Sequence, residues 1–340
     1  MKYLIRISHA HPHVAEIEME TFFKNYHLNW LTPMLCTVSC TSQMMDDIIQ
    51  LSSCIKIVVE NPIITNIEND EIVGLDDLII PQSSRLVFNN FKVKITRVHK
   101  KINNFNTEKM IVNVARQVYS CHSHLEIDLT NPDVIFQVLY WGNNIALGWL
   151  YKEKEYREIA YREPKNWDYF GGGSMKSHLS RLLINLLYPL DATILDPFSG
   201  HGGFLREIAE TGSYAIGIEV NKRIIFESRA NSRKYGLDQN IGLIHGNSLY
   251  PPFRKSGIDK IVTDPPYARQ TTTVGLNRDV LMEKWVKILD IGTTVVITTP
   301  TDMMIQNPDG WGIDIDVTDY VHKSLTRRVR RMIKLNERSK

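Results

Sequence analysis

The feature that most constrains the fold is an alternation of short apolar strands and amphipathic helices in the second half of the chain. From residue 176 onward, apolar segments such as AIGI, KIV and TTVVITT are separated by stretches with helical periodicity, including one over 280–289. Apolar strands with intervening helices form a parallel sheet covered on both faces. This half therefore predicts an α/β domain. Residues 325–335 read either as its last strand or as a helix that meets phosphate, and we favour the strand.

The first half has a mixed pattern that predicts smaller elements. KYLIRIS and IKIVVE read as strands around a helix near 14–23, which indicates an α+β unit of ferredoxin-like type. VFNNFKVKITRV then alternates apolar and basic residues, a helix is expected over 107–119, and HLEIDLTNPDVIFQVLYW indicates two strands around a turn. A polar stretch with three glycines at 171–173 indicates a linker. The predicted domains are residues 1–80, 81–150 and 176–340, with a linker over 151–175.

Composition excludes several classes of protein. With 43% apolar and 23% charged residues in 340, the chain is expected to be globular. No run reaches the roughly 18 to 20 apolar residues of a membrane span, and the first residues break too early for a signal peptide, so we expect a cytoplasmic protein without a membrane partner. Four cysteines are too few to staple this chain, and buried thiols are expected. Cys36 and Cys40 could supply half of a zinc site, but no second pair has finger-like spacing, so no metal is expected.

The net charge of +2 is unevenly distributed. Residues 1–80 hold 4 Lys/Arg against 11 Asp/Glu, whereas residues 81–135 hold 8 against 4. A second basic segment, residues 322–340, holds eight basic residues against Glu337. Two basic patches suit a polyanion held at two places, although two solvated faces would read the same way. The candidate RNA-binding residues in the first patch are Lys92, Lys94, Arg97, Lys100 and Lys101.

Three groups in order indicate a nucleotide-like ligand. Asp196-Pro-Phe-Ser-Gly-His-Gly-Gly203 lies between a strand and a helix, where glycines allow close backbone approach and the acid can accept from a cationic or hydroxyl-bearing ligand. Glu219 ends the next strand, where a carboxylate can take both ribose hydroxyls, and Asn247-Ser248 follow the third, where an amide could bond adenine. Each group alone is also typical of a cap or turn. The ordered trio favours a ligand site.

The motif Thr263-Asp264-Pro265-Pro266-Tyr267 indicates the chemistry. Two prolines cannot continue a helix or a sheet ladder, so the chain is held extended and the Asp264 carboxylate becomes a fixed acceptor. Tyr267 offers a ring on which a base can stack, worth roughly 1 to 3 kcal/mol. Because the lone pair of a base amino group is delocalised, acceptors on its N–H groups can favour pyramidal nitrogen and aim it at a methyl sulfonium. A paired target would have to be flipped out.

From D-P-F-S-G-H-G-G to D-P-P-Y the chain resembles the Rossmann-like amino-methyltransferases, whose fold adds an antiparallel seventh strand. The resemblance implies S-adenosyl-L-methionine as cofactor, Asp264 as the catalytic residue, and a base pocket shaped by Pro265, Pro266 and Tyr267. The segment FGGGSMK resembles that group's motif over the methionine part of the cofactor. The implied cofactor-binding residues are Asp196, Phe198, Gly200, Gly202, Glu219, Asn247, Ser248, Phe170, Ser174 and Met175. Two residues depart from the pattern: His201, expected as a loop residue over the cofactor rather than a base, and Asn247, where Asp is usual.

The first half selects the substrate class. FKVKITRV and D-L-T-N-P-D, residues 128–133, resemble the THUMP domain, which recognises the 3′ acceptor end of tRNA. Together with TDPPYARQTT, the domain order resembles the archaeal THUMP-type tRNA guanine-N2-methyltransferases that act on guanosine at position ten. The implied architecture is an α+β, THUMP-containing RNA-binding half followed by a Rossmann-like seven-stranded methyltransferase domain, with tRNA and not DNA as partner.

Other readings share part of this evidence. The same chemistry would suit another tRNA guanosine or an adenine amino group. An alternative from a different class is an RNA-binding protein with a non-catalytic methyltransferase-like domain, and failure to bind the cofactor would favour it. A further alternative is a DNA methyltransferase, which would be expected to carry a separate DNA-reading domain. The sequence leaves open whether one or two methyl groups are added, whether a small activating subunit is needed, and the oligomeric state.

Overall fold

The computed structural model describes the chain except for residues 69–70, 85–87, 99–105, 156, 172–173, 254–256, 267–287, 302–309, 323–324 and 337–340. The chain forms two compact units. The first comprises residues 1–9, 23–50 and 55–155, and the second comprises residues 10–22, 51–54 and 156–340. Within the described residues, no helix is both long and apolar enough to span a membrane.

The elements up to residue 155 mix strands and helices. They are β1 (Lys2–Ile7), α1 (Pro12–Phe22), β2 (Asn29–Thr32), β3 (Leu35–Ser39), α2 (Ser42–Leu51), β4 (Ile55–Glu68), β5 (Glu71–Ile72), a 3-10 turn (Leu75–Asp77), β6 (Asn90–Arg97), α3 (Thr107–Cys121), β7 (Glu126–Ile127), β8 (Val134–Trp141) and β9 (Asn144–Glu153). The strands form one sheet in the order β2-β3-β1-β4-β9-β8-β6-β7, with β5 against β4. The sheet therefore runs without interruption through the predicted domains 1–80 and 81–150, and a boundary at residue 80 stays a prediction.

The core of this sheet is built around Trp149 of β9. Its side chain is buried, and its indole nitrogen donates to the carbonyl of Pro81 at 2.8 Å. Phe91 and Phe136 meet the indole edge to face, with centroids at 6.3 and 5.0 Å. Such contacts bury large apolar surface and stabilise one arrangement of the strands.

Two strands, β7 and β8, flank the Asn131-Pro132 turn, as the sequence predicts. The two strands do not pair with each other; both pair in parallel with β6, on its two sides. Asp128 accepts from the backbone nitrogens of Thr130 and Asn131 at 2.8 and 2.9 Å, and Asp133 accepts from that of Asn89 at 2.9 Å. These bonds carry the chain past the start of β6, which a hairpin could not do.

The second unit contains the predicted α/β domain. Its remaining elements are α4 (Arg157–Ala160), a 3-10 turn (Pro164–Asn166), α5 (Ser177–Asn185), β10 (Thr193–Asp196), α6 (Gly203–Ala209), β11 (Tyr214–Glu219), α7 (Lys222–Lys234), a 3-10 turn (Asp238–Asn240), β12 (Ile241–His245), β13 (Lys260–Thr263), β14 (Thr294–Pro300), β15 (Trp311–His322) and β16 (Leu325–Lys334). The seven-stranded sheet has the order β12-β11-β10-β13-β14-β16-β15, and β16 is antiparallel to both neighbours. The predicted Rossmann-like sheet with an antiparallel strand is confirmed. The helix expected over 280–289 lies mostly outside the described residues.

Helix α1 belongs to this second unit although it lies near the start of the chain. Its Glu18 is fully buried and accepts hydrogen bonds from Ser52 Oγ at 2.6 Å, Cys54 N at 3.3 Å and Asn185 Nδ2 at 2.6 Å. A buried carboxylate is tolerated only when such donors surround it. These bonds fasten α1 and residues 51–54 to α5.

The cysteines are all free thiols. Cys36, Cys40 and Cys54 are buried as expected, and burial raises the pKa of Cys36 to about 12. Cys121 departs from the expectation because it ends α3 on the exposed side. Among the described residues, no cluster of three or more His, Cys, Asp or Glu side chains is arranged to hold a metal ion.

Candidate active site

Asp196, the last residue of β10, is the most buried acid of the site, with 2% of its surface exposed. Its Oδ1 accepts from the backbone nitrogen of Phe198 and from Oγ1 of Thr263, each at 3.0 Å. Burial, and then the nearby carboxylates of Asp264 and Glu219, raise the pKa of Asp196 to about 7, although the two hydrogen bonds oppose the shift. A cation placed here would favour the ionised form.

The glycine-rich loop after Asp196 takes a backbone path that requires glycine. Gly200 and Gly202 have φ values of +48° and +82°, in the left-handed region. A side chain on Gly202 would also overlap Ser228 Oγ. Two hydrogen bonds fix the loop. Ser199 N donates to the carbonyl of Ile218 at 3.0 Å, and Arg206 Nη1 donates to that of His201 at 2.8 Å.

Glu219 is the last residue of β11, and Asn247 follows the end of β12, the neighbouring parallel strand. Parallel pairing places Glu219 opposite His245, and Gly246 N donates to the Glu219 carbonyl at 3.1 Å. Glu219 is half-buried and Oε1 accepts from Asn221 N at 2.8 Å, while the exposed Asn247 accepts from Leu249 N at 2.9 Å.

Ser248 has a different position from its predicted partners. It is buried, and its hydroxyl donates to the carbonyl of Pro197. It therefore ties the end of β12 to the chain just after β10. This contact stabilises the edge on which the other groups lie.

The glycine segment upstream of α5 reaches the same loop. A Cβ atom on Gly171 would lie 3.1 Å from Cε1 of His201, so the backbone at Gly171 lies close to the His201 imidazole. In this segment Phe170 is 59% exposed, Met175 is buried, and Ser174 N donates to the carbonyl of Gly171 at 3.0 Å. His201 Nε2 lies 3.1 Å from Glu227 Oε2, which suits the predicted loop role. The structure thus brings together two motifs separated by about thirty residues of sequence.

Asp264 follows β13 at the same carboxyl edge. Thr298 of β14 donates from Oγ1 to Asp264 Oδ1 at 2.6 Å, and the Asp264 side chain is 16% exposed. Pro265 is buried and Pro266 is half-buried. Tyr267, predicted to stack a base, lies outside the described residues. Thr263 donates to Asp196 and is followed directly in the chain by Asp264. These adjacent residues therefore connect the two acids, Asp196 and Asp264.

Sequence reasoning missed three residues of this site: Thr263 as the partner of Asp196, Thr298 as the partner of Asp264, and Arg327. Arg327 Nη2 lies 3.8 Å from Asp264 Oδ2. A signal existed for Thr298, since β13 and β14 are neighbouring parallel strands whose polar ends should meet. No corresponding sequence signal existed for Arg327, because it is one of several arginines in the same strand.

The basic residues are only partly free to meet a polyanion. In β6, Lys94 pairs with Glu153 at 2.7 Å, Lys92 is half-buried, and Arg97 is exposed. Lys100 and Lys101 lie outside the described residues. In β16, Arg328 pairs with Asp316 at 2.5 Å and Arg331 pairs with Asp314 at 2.7 Å. The acids of β15 therefore balance much of the C-terminal basic run.

Comparison with known families places two domains in the chain. Residues 164–307 match the UPF0020 model, described as an RMKL-like methyltransferase domain. Residues 77–148 match the THUMP domain. The first match contains the glycine-rich loop and Asp264, and the second contains β6 and the D-L-T-N-P-D turn.

Two archaeal relatives align with most of the chain. A protein of Methanocaldococcus jannaschii named tRNA (guanine(10)-N2)-dimethyltransferase is 25% identical over 256 residues, covering 71% of this chain and 69% of that protein. A protein of the same name from Pyrococcus abyssi is 26% identical, covering 65% of this chain and 70% of that protein.

Solved structures share the fold. The structure of TrmN from Thermus thermophilus aligns with a TM-score of 0.56 at 16% identity, covering 98% of this chain and 100% of that one. A putative methyltransferase, SMU.472, complexed with SAH aligns at 0.52 and 13% identity, covering 97% of each chain. Together with the two domain matches, these likenesses show that the chain consists of a THUMP-containing half followed by a methyltransferase domain of the RMKL-like type.

Proposed function

We propose that this protein transfers methyl groups from S-adenosylmethionine to N2 of the guanosine at position ten of tRNA. The observation that carries the proposal is the pair of acids at the carboxyl edge of the seven-stranded sheet, Asp196 and Asp264, joined through Thr263 and oriented by Thr298. The names of the archaeal relatives support the nucleotide.

The residues at this edge fit the cofactor. Asp196 and Glu219 are acceptors for its ammonium group and ribose hydroxyls, and the left-handed glycines let the loop backbone approach it. Burial, and to a lesser extent the carboxylates of Asp264 and Glu219, raise the pKa of Asp196, and a cationic ligand would favour its ionised form. Phe198, Asn247, Phe170, Ser174 and Met175 complete the proposed contacts. When bound, S-adenosylmethionine supplies an electrophilic methyl group.

Asp264 prepares the acceptor amine. Its carboxylate accepts a hydrogen bond from the amino group, which favours a pyramidal nitrogen with an available lone pair, and takes up the proton that the nitrogen loses. Thr298 occupies Oδ1, so the carboxylate keeps a fixed orientation. Pro265 and Pro266 keep the chain rigid beside it. Tyr267 is proposed to stack the base.

The first unit is proposed to bind tRNA. The THUMP domain contains β6, where Arg97 and the half-buried Lys92 supply positive charge beside the ion-paired Lys94. Phosphate contacts from such residues fix register and orientation without reading sequence.

The test incubates the protein with unmodified tRNA transcript and radiolabelled S-adenosylmethionine, and separates the product nucleosides. Label in N2-methylguanosine, followed in time by N2,N2-dimethylguanosine if two methyl groups are added, is expected. Asp264→Asn should lose transfer and keep cofactor affinity. Label in methyladenosine would contradict the substrate, and transfer by Asp264→Asn at the wild-type rate would contradict the site.

A further inference from the structure

Arg327 lies beside the acid that we assign to the acceptor amine. It is the third residue of β16, the antiparallel strand next to β14, and only 8% of its surface is exposed. Register places it opposite Pro300 of β14, two residues beyond Thr298, so both side chains project from the same face of the sheet. This face carries Asp264.

The Arg327 guanidinium has donors to spare. Its Nη2 is 3.8 Å from Asp264 Oδ2, which is too long for a hydrogen bond. Its Nε is buried and has no hydrogen-bond partner among the described residues. A guanidinium carries five N–H donors, and unsatisfied buried donors are costly. The buried guanidinium can therefore donate a hydrogen bond to a ligand.

Arg327 also has an acidic register partner on its other neighbouring strand. Asp319 of β15 is its cross-strand neighbour and is 4% exposed. Both Asp319 oxygens lie 2.8 Å from Nδ1 of His11, so this acid has its own partner. Cross-strand register thus places an acid that already has a partner beside Arg327. Asp264 likewise does not depend on Arg327 for orientation, since Thr298 holds it.

A carboxylate and a cationic donor side by side complement one base edge. The Watson–Crick edge of guanine presents the amino group, the N1–H donor and the O6 acceptor, whereas adenine carries an amino group where guanine has O6. We infer that Arg327 is a specificity-determining residue that donates to O6 of the target guanine while Asp264 holds the amino group. This inference rests on the proposed function and extends it to the choice between bases.

The test uses tRNA assembled with either guanosine or 2-aminopurine riboside at the methylated position. 2-Aminopurine keeps the amino group at C2 and lacks O6. Transfer to both is measured as kcat/KM for the wild type, Arg327→Gln and Arg327→Lys. Arg328→Gln is the matched control, because Arg328 follows in the same strand, projects from the opposite face and pairs with Asp316 at 2.5 Å. Binding of S-adenosylhomocysteine reports that each variant is folded.

The wild type is expected to prefer guanosine by about 10- to 100-fold, the range of a hydrogen bond to a charged group. Arg327→Gln should lose most of that preference by losing activity on guanosine alone, Arg327→Lys should retain part of it, and Arg328→Gln should retain all of it. Because 2-aminopurine also lacks N1–H, only the part that disappears with Arg327 belongs to the O6 contact.

Three results would overturn the assignment: no preference in the wild type, an unchanged preference in Arg327→Gln, or an equal loss on both bases, as expected if Arg327 binds phosphate or only orients Asp264. Failure of the wild type to methylate the guanosine tRNA while it binds S-adenosylhomocysteine would instead contradict the proposed function, and the assignment with it.

Discussion

Two pairs of aspartates lie near prolines, one pair in each unit, and the two pairs have different roles. In the first unit, Asp128 and Asp133 flank Asn131-Pro132. Asp128 accepts from the backbone nitrogens of Thr130 and Asn131, and Asp133 accepts from that of Asn89. In the second unit, Asp196 and Asp264 precede prolines at the ends of parallel strands and accept from threonine hydroxyls. The sequence motifs look alike, yet only the second pair is concentrated at one edge of a sheet.

The difference shows in their protonation. Backbone hydrogen bonds hold the pKa of the exposed Asp128 below its usual range, whereas burial raises the pKa of Asp196 to about 7. A lowered pKa marks an acid satisfied by the protein itself. A pKa raised by burial and by neighbouring carboxylates is a pattern that is common at functional sites. Burial and neighbouring charge therefore separate a structural aspartate from a chemical one.

The largest expected effect is on transfer by Asp264→Asn. Removing the carboxylate should lower kcat by about 10²- to 10⁴-fold, because the amide cannot take up the proton. Affinity for S-adenosylhomocysteine should remain near the wild-type value. Asp128→Asn is the matched change in the first unit and should leave kcat unchanged. Equal losses in the two variants would remove the distinction between the pairs.

The second effect concerns Asp196 and pH. Because its pKa is about 7, the acid is largely protonated below pH 7 and ionised above it, so cofactor affinity should rise with pH through 7 and then level. Asp196→Asn should bind about 10- to 100-fold more weakly at pH 8, the loss of a charged hydrogen bond, and should show no such pH dependence. Isothermal titration from pH 5.5 to 8.5 measures both. A flat wild-type profile would contradict the role of Asp196.

A smaller effect is expected from charge reversal in β6. Lys92→Glu with Arg97→Glu should weaken tRNA binding several-fold and reduce its salt dependence, because fewer counterions are released. Affinity for S-adenosylhomocysteine should not change. Arg328→Glu in β16 serves as the comparison, since the ion pair with Asp316 already engages this arginine. Equal loss of tRNA and cofactor affinity in the β6 variant would point to misfolding instead.

The smallest effect is expected from Asp128→Ala, and it should fall on stability. The pKa of Asp128 is lowered in the fold, so its stabilising contribution is present above its usual pKa and is lost as pH falls through the lowered value. The variant should therefore unfold more easily than the wild type at pH 7, and the difference should disappear at strongly acid pH. Denaturant unfolding at both pH values measures it. A difference that grows in acid would contradict this.

Much of this fold follows from local pattern. The strands β10 to β14 were predictable because each is a short apolar run followed by a turn residue, and β16 was correctly favoured as a strand over a helix. The pairing of β7 and β8 with β6 was not predictable, because a turn motif does not specify which strand the chain pairs with after the turn. The membership of α1 in the second unit was equally hidden, since the donors to Glu18 come from distant segments.

The site was predictable where one motif supplies the residue. Asp196, Glu219 and Asp264 could be located because strand ends of a parallel sheet share one edge. Thr298 and Arg327 depend on strand register, which sequence pattern alone does not give. The sequence pattern also does not show how far the arginines of β16 are neutralised. Their ion pairs with Asp314 and Asp316 depend on the pairing of β15 with β16.

The central claim is that Asp264 serves an exocyclic amino group of guanine in tRNA. The most direct measurement compares transfer from labelled S-adenosylmethionine to two tRNAs that differ only at position ten, one with guanosine and one with inosine, which lacks the amino group. We expect label in N2-methylguanosine from the first and none from the second. Equal label in both tRNAs would place the methyl group elsewhere and contradict the assigned acceptor.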